Sequence, residues 1–192
     1  NTFASPVNQN PIDHGIDIVI HSATKYLGGH SDISAGAVVG TEENINLILN
    51  SAKNFGGNLS DYTVWLLERS MKTLFIRVRE QTNNAKLLAK MLDENSNISK
   101  VYYPGLESHP SHEIAKNQMK DFGAMMSFDL NENIDVYKFL KNLKVIKPGM
   151  SLAGVETTVN FPMKTSHGLL TQDERDNQGI GNKLIRLSVG IE

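Results

Sequence analysis

The 192-residue sequence contains no cysteine, which excludes a disulfide framework and every thiolate metal site. No basic run stands out and the net charge is −2, far from the electrostatic footprint of a nucleic-acid-binding protein. No apolar stretch approaches the length that crosses a bilayer, and no signal-peptide pattern opens the sequence. Neither nucleic acid nor a membrane is therefore expected as a partner, and a cytoplasmic location is consistent with the composition. Internal repeats and low-complexity segments are lacking too. With 40% hydrophobic and 21% charged residues, the composition is that of an ordinary globular protein able to bury a core.

Residues 16–20 and 35–40 are short apolar runs bounded by turn residues, the pattern of buried strands. Residues 42–52 have helical spacing in Ile45, Leu47, Ile48 and Leu49, and the glycines between Asn54 and Asn58 break it. From Ser60 to about Asn95 neither glycine nor proline occurs and apolar positions recur at helical spacing, from Trp65 and Leu66 to Met91 and Leu92. One continuous helix of roughly 50 Å, with a bend, is predicted there. Strands follow at 98–103, 124–130, 144–147 and 185–189, with helices at 111–119 and 134–142. Thr171-Gln172-Asp173-Glu174 has the capping-box form that opens a short helix. Strands separated by helices define an α/β layer with helices packed on one side of a sheet.

The chemistry is concentrated in residues 21–30, where Lys25 stands just behind the hydroxyls of Ser22 and Thr24 and ahead of Gly28-Gly29. A lysine amine attacks aldehydes when positioned and partly deprotonated, which suits Schiff-base formation. Ser22 and Thr24 offer hydroxyl donors to a phosphate, and the glycine pair allows close backbone approach. Spacing alone also fits a strand end, a Gly-rich turn and a surface lysine, the commoner outcome for so short a motif. His109 and His112 form a pair without an obvious third ligand, so no metal site is expected. His21 and His30 flank the motif without being needed as bases, and residues 173–176 form a solvated face of mixed charge.

Three blocks, in order, carry a resemblance: residues 1–32 with Ser22-Ala23-Thr24-Lys25-Tyr26-Leu27-Gly28-Gly29-His30, then residues 151–157, then residues 184–192. Together they resemble the Cys/Met-metabolism enzymes that use pyridoxal phosphate (PLP). That family includes cystathionine γ-synthase, cystathionine γ- and β-lyases, methionine γ-lyase and O-acyl-homoserine sulfhydrylases.

The resemblance implies the end of a PLP fold-type I, aspartate-aminotransferase-like large domain (residues 1–58), a long connecting helix (59–95) and a small C-terminal α/β domain (96–192). It implies PLP as cofactor, with Ser22, Thr24 and Lys25 as cofactor-binding residues. Lys25 would be both anchor and acid/base, and Ser151 and Arg186 would bind the α-carboxylate of an amino-acid substrate. On composition alone an arginine in an apolar strand more often pairs with a structural carboxylate. Glu156 is expected to serve only through a local hydrogen bond or ion pair.

The implied activity is β/γ-elimination or γ-replacement on sulfur-containing or O-acyl amino acids. Met150 stands where cystathionine-handling members carry an acidic residue, which favours a smaller or less polar substrate. Ala153 stands where the family usually has a second glycine. The family aspartate that pairs with the pyridine nitrogen would precede Asn1, so the chain reads as the C-terminal half of a longer enzyme, with the N-terminal half as a partner and a homotetramer expected. The rival expectation is a non-catalytic fragment acting as an assembly module.

Overall fold

The computed structural model describes all 192 residues. A one-turn helix α1 (Ser5–Asn8) and a 3-10 turn (Pro11–His14) lead into β1 (Ile18–Ser22). β1 pairs antiparallel with β2 (Gly36–Gly40), Ile20 opposite Val38. The predicted first strand thus begins two residues later and runs on to Ser22. The segment carrying Lys25 connects the two strands.

Helix α2 (Glu42–Phe55) starts where the Thr41 hydroxyl accepts from the Asn44 N–H (3.3 Å) and ends at Gly56, whose φ of +82° is the left-handed cap that glycine adopts without strain. The expected single helix over 60–95 is instead two, α3 (Asp61–Met71) and α4 (Leu74–Asp93). The physical reason lies at Ser70, whose carbonyl would accept from the Leu74 N–H in an unbroken helix. It accepts instead from the Thr73 N–H (3.2 Å), the Thr73 hydroxyl (3.1 Å) and Arg77 Nη2 (3.0 Å). No glycine or proline is needed for this break, because side chains take over the acceptor.

A five-stranded sheet closes the fold in the order β3 (Ile98–Tyr102), β4 (Met125–Leu130), β7 (Leu184–Ser188), β6 (Thr158–Asn160), β5 (Lys147–Pro148). All neighbours are antiparallel except β5 and β6. β5 lies later than the predicted 144–147, and β6 was not anticipated, since three residues leave no readable period. Helices α5 (His112–Gln118), α6 (Val136–Asn142) and α7 (Gln172–Asn177) fill the connections. The predicted capping box at α7 is present: the Thr171 hydroxyl accepts from the Glu174 N–H and the Glu174 carboxylate accepts from the Thr171 N–H (2.8 Å).

β4 alternates strictly, with Met126, Phe128 and Leu130 turned inward. β7, central in the sheet, is buried on both faces except at Arg186. One core joins Phe128, Ile185 and Val189 of this unit to Val78, Ala85 and Ala89 of α4 and to Ala23, Tyr26 and Leu27 of the lysine turn. The buried stripe of α4 runs Leu74, Arg77, Val78, Gln81, Thr82, Ala85, Ala89, so two strongly polar residues stand in phase with the apolar ones. Buried polar groups need partners, and where these two find them defines the next level of organisation.

Candidate active site

Lys25 is half-buried on a turn fixed at several points. At its neck the Thr24 N–H donates to the Ala35 carbonyl (3.1 Å), while the Thr24 hydroxyl accepts from the Ala35 N–H (2.9 Å) and donates to the same carbonyl (3.3 Å). The lysine's own N–H donates to the Ser22 carbonyl (3.1 Å) and its carbonyl accepts from Gly29 (2.6 Å). The next two side chains, Tyr26 and Leu27, are anchored in the core at 2% and 6% exposure. Upstream, the Ser22 N–H donates to the Thr2 hydroxyl (2.9 Å), whereas the Ser22 hydroxyl has no partner within the chain.

The glycine pair answers to the protein, contrary to the expected approach of a ligand. A Cβ at Gly28 would lie 2.9 Å from the Ala23 carbonyl and 3.0 Å from the Ile33 side chain, and one at Gly29 would strike the Arg77 guanidinium. Arg77, which sequence reasoning passed over, is thereby part of the lysine turn's support. Its only sequence signal was its phase within the apolar stripe of α4.

Ser151 and Arg186 are brought together, through backbone oxygens: Arg186 Nη2 donates to the carbonyls of Met150 (2.8 Å) and Ser151 (3.5 Å). Arg186 pairs in register with Asn160 of β6 and Ser127 of β4. It makes no ion pair with any carboxylate of the chain, and its Nε is buried without a partner. Burial depresses its pKa below the ordinary arginine value. Composition favoured a structural carboxylate at this position, and there is none. The side-chain amide nitrogen of Asn160 is likewise buried and unpartnered.

No hydrogen bond runs directly from the lysine turn to Ser151 or Arg186. Helix α4 joins them instead. Gln81, one turn after Arg77, donates to the carbonyls of Gly154 (2.6 Å) and Val189 (3.2 Å), and Asn84 donates to that of Gly190 (3.2 Å). The loop also meets the lysine segment directly, since a Cβ at Gly154 would lie 2.8 Å from the Ser31 hydroxyl. Ala153 is fully buried at φ +65°, the left-handed region that favours glycine, with its N–H donating to the Ser188 hydroxyl (2.7 Å).

Glu156 makes neither the hydrogen bond nor the ion pair expected of it; its side chain is exposed. Glu192 takes the local role, its carboxylate accepting from the Thr157 N–H (2.6 Å). His109 Nδ1 accepts from the Ser111 N–H (3.1 Å), and His112 Nδ1 sits 2.8 Å from the Pro104 carbonyl, so both rings are tied to the backbone. His21 is buried, and burial depresses its pKa. A cavity of about 650 Å³ between α4, α6 and the sheet includes none of the candidate residues. A smaller recess of about 350 Å³ is lined by Met150 and Asn160, both neighbours of Arg186.

Comparison with known proteins first defines a class, the enzymes dependent on PLP. Within that class the chain belongs to the Cys/Met metabolism PLP-dependent enzyme family, whose family model matches residues 1–192. It is 45% identical over its whole length to a cystathionine beta-lyase of Lactococcus lactis, covering 51% of that protein. To an L-methionine gamma-lyase of Fusobacterium nucleatum it is 44% identical, covering all of this chain and 49% of the relative.

Among solved structures, all of the chain superposes on 51% of a cystathionine gamma-lyase of Lactobacillus plantarum complexed with L-serine, at a TM-score of 0.94 and 42% identity. The corresponding figures for a cystathionine gamma synthase of Xanthomonas oryzae in complex with aminoacrylate and cysteine are 50%, 0.95 and 41%. The expected family and α/β fold are borne out, and the chain spans about half the length of the curated relatives it matches.

Proposed function

We propose that the chain is the C-terminal half of a PLP-dependent trans-sulfuration enzyme that performs β/γ-elimination or γ-replacement on sulfur-containing or O-acyl amino acids. In this reading residues 1–58 complete its cofactor-holding domain, 59–95 connect, and 96–192 form its smaller domain; the whole assembles as a cytoplasmic homotetramer. The observation that carries the reading is Arg186: a guanidinium partly withdrawn from water, without a carboxylate partner, and with a buried Nε left over. A substrate α-carboxylate supplies the acceptors this group lacks, and the planar fork fixes the amino acid's orientation. Ser151, on the loop whose carbonyls already meet Arg186, adds a hydroxyl to the same carboxylate.

The residues around Lys25 fit the cofactor. The Ser22 hydroxyl is free to donate to a phosphate. The Thr24 hydroxyl can turn its proton to the same group without orphaning Ala35, whose carbonyl keeps the Thr24 N–H. When bound, PLP supplies an aldehyde for the lysine amine and a ring that delocalises the electron pair of a deprotonated substrate carbon. Lys25 then holds and moves protons: once displaced by the substrate's amino group, its amine takes the α-proton and relays protons to the neighbouring carbons. Exposed Met150 beside Arg186 offers no acceptor for a distal ammonium, which favours methionine, homocysteine or an O-acyl-homoserine over cystathionine.

The test is to incubate the full-length protein with PLP, reduce with borohydride and map the adduct by peptide mass spectrometry. A pyridoxyl group on the Lys25 peptide is expected, followed by thiol and oxo-acid release from one of the candidate amino acids. No adduct on folded protein with PLP in excess would overturn the reading and leave an assembly module as the better account.

A further inference from the structure

This inference rests on the function proposed above and concerns a residue outside all three sequence blocks. Arg77 is only 5% exposed, yet it faces no carboxylate of the chain. Its guanidinium is filled by neutral oxygens on two elements. Nη1 donates to the Tyr26 carbonyl (3.0 Å), Nη2 to those of Leu27 (3.4 Å) and Ser70 (3.0 Å), and Nε to the Thr73 hydroxyl (3.1 Å). Tyr26 and Leu27 directly follow Lys25. The guanidinium therefore ties the backbone on the C-terminal side of the lysine to the break between α3 and α4.

Both ends of this tie are built for it. On the lysine side, Gly29 at φ +69° is the residue whose Cβ would collide with the guanidinium, so the turn has given up a side chain to admit it. On the helix side, the interrupted hydrogen bonding at Ser70 and Thr73 leaves a carbonyl and a hydroxyl turned toward Arg77. Only a planar fork of five donors reaches four acceptors arranged in this way; an ammonium is a point source with three.

We propose that Arg77 is a positioning residue for Lys25: by clamping the Tyr26 and Leu27 carbonyls to the α3–α4 break, it fixes where the lysine amine meets the aldehyde of PLP. It touches neither cofactor nor substrate. A turn free to shift by about 1 Å would lose roughly a hundredfold of an oriented reaction.

The experiment uses the full-length protein as wild type, Arg77→Lys, Thr73→Val and Val78→Ala. Two quantities are read on each: the PLP concentration giving half-maximal borohydride trapping on the Lys25 peptide, and the visible circular dichroism per bound PLP, which reports how rigidly it is held. Arg77→Lys keeps the charge and loses the fork; half-saturating PLP is expected to rise at least about tenfold, with the dichroism per cofactor reduced. Thr73→Val removes only the Nε acceptor and is expected to shift both in the same direction by about threefold. Val78→Ala opens a cavity in the same helix turn and lowers the melting temperature, yet is expected to leave both readouts at wild-type values.

Folded Arg77→Lys with wild-type readouts would overturn the proposal, as would an equal shift in Val78→Ala, which would make the effect one of stability. Should Arg77→Lys fail to fold, Thr73→Val at wild-type values overturns it. If the wild type itself carries no Lys25 adduct, the underlying function fails as well, and that outcome is distinct from the others.

Discussion

The lysine turn and the β6–β7 strand pair each hold a withdrawn arginine with no carboxylate beside it, and the two differ in what is left over. Arg77 has a protein oxygen for each guanidinium nitrogen, whereas Arg186 has carbonyls at Nη2 and nothing at its buried Nε. Burial depresses the pKa of both, so electrostatics alone does not separate them. Hydrogen-bond valence does. The saturated guanidinium of Arg77 is part of the scaffold, and the unsaturated one of Arg186 is the one the proposed function assigns to a substrate. A missing carboxylate is thus no sufficient sign of a ligand site until every donor has been followed to its acceptor.

The contrast can be broken or sharpened by substitution in the full-length protein, and the largest effect is expected at Lys25, on the first of the two regions. Lys25→Ala removes the proposed anchor and base together; turnover should fall by about a thousandfold or more, with no borohydride adduct on that peptide. Residual adduct there would point to a second lysine. Next, Arg77→Met strands the Tyr26 and Leu27 carbonyls in the core and should cost about 3 kcal/mol in urea unfolding. Arg186→Met, which strands much less, should stay within about 1 kcal/mol of wild type. Equal losses would collapse the distinction.

For function the two separate by readout: Arg77→Lys acts on PLP trapping at Lys25, whereas Arg186→Lys keeps the charge and loses the bidentate geometry proposed for the substrate carboxylate. It should lower kcat/KM about tenfold to a hundredfold, chiefly through KM, at unchanged stability.

Smaller effects test the loop that Gln81 holds between the two regions. Ala153→Val forces a β-branched residue into the left-handed region in a fully buried site and should cost about 2–3 kcal/mol, read as a melting shift. Ala153→Gly trades relieved strain against a lost methyl and should change stability by less than about 1 kcal/mol.

The smallest effect lies far from either arginine. Thr171→Ala should cost about 0.5–1 kcal/mol by removing the cap of α7. The Thr171 backbone N–H, then its hydroxyl, holds the Glu174 carboxyl below its ordinary pKa. The contribution of these bonds to the Glu174 carboxylate is therefore complete above the unfolded carboxylate range and is lost as pH falls through the lower folded value. The stability difference between wild type and Thr171→Ala should narrow at acidic pH by the hydroxyl–carboxylate bond alone and persist through the cap bond from the Glu174 N–H.

Much of this was legible in the residues themselves, for identifiable reasons. Lys25 between hydroxyls and glycines is a local signal, and Thr171-x-x-Glu174 carries its cap within four residues. The α3–α4 break was not legible, because no glycine or proline marks it; it depends on Arg77 reaching back to Ser70. Arg77 itself reads as a solvated charge until the stripe of Leu74, Val78 and Gln81 is phased with it. The role expected of Glu156 fell to Glu192, thirty-odd residues on, since the C-terminal strand returns beside the loop. The glycine pair reads as allowing close backbone approach to a ligand, whereas the space is taken by the Ala23 carbonyl and Ile33 at Gly28 and by a guanidinium at Gly29. For Glu192 and Gly29 the missing information is a contact distant in sequence, which no local pattern encodes; at the α3–α4 break it is a side-chain contact spanning about two turns that carries no residue-type signal.

The two-stranded sheet of β1 and β2 has a consequence for handling. Neither strand has a second neighbour, and Ile18, Ile20, Val38 and Val39 are all exposed. Open edges lined with β-branched residues are templates for pairing with other chains. In colloidal terms, these 192 residues expressed by themselves form a sticky particle at low net charge, liable to stack strand on strand and to occupy chaperones. Turbidity and thioflavin binding that rise with concentration, and that are suppressed by lysine at Ile20 and Val39, are the expected signature.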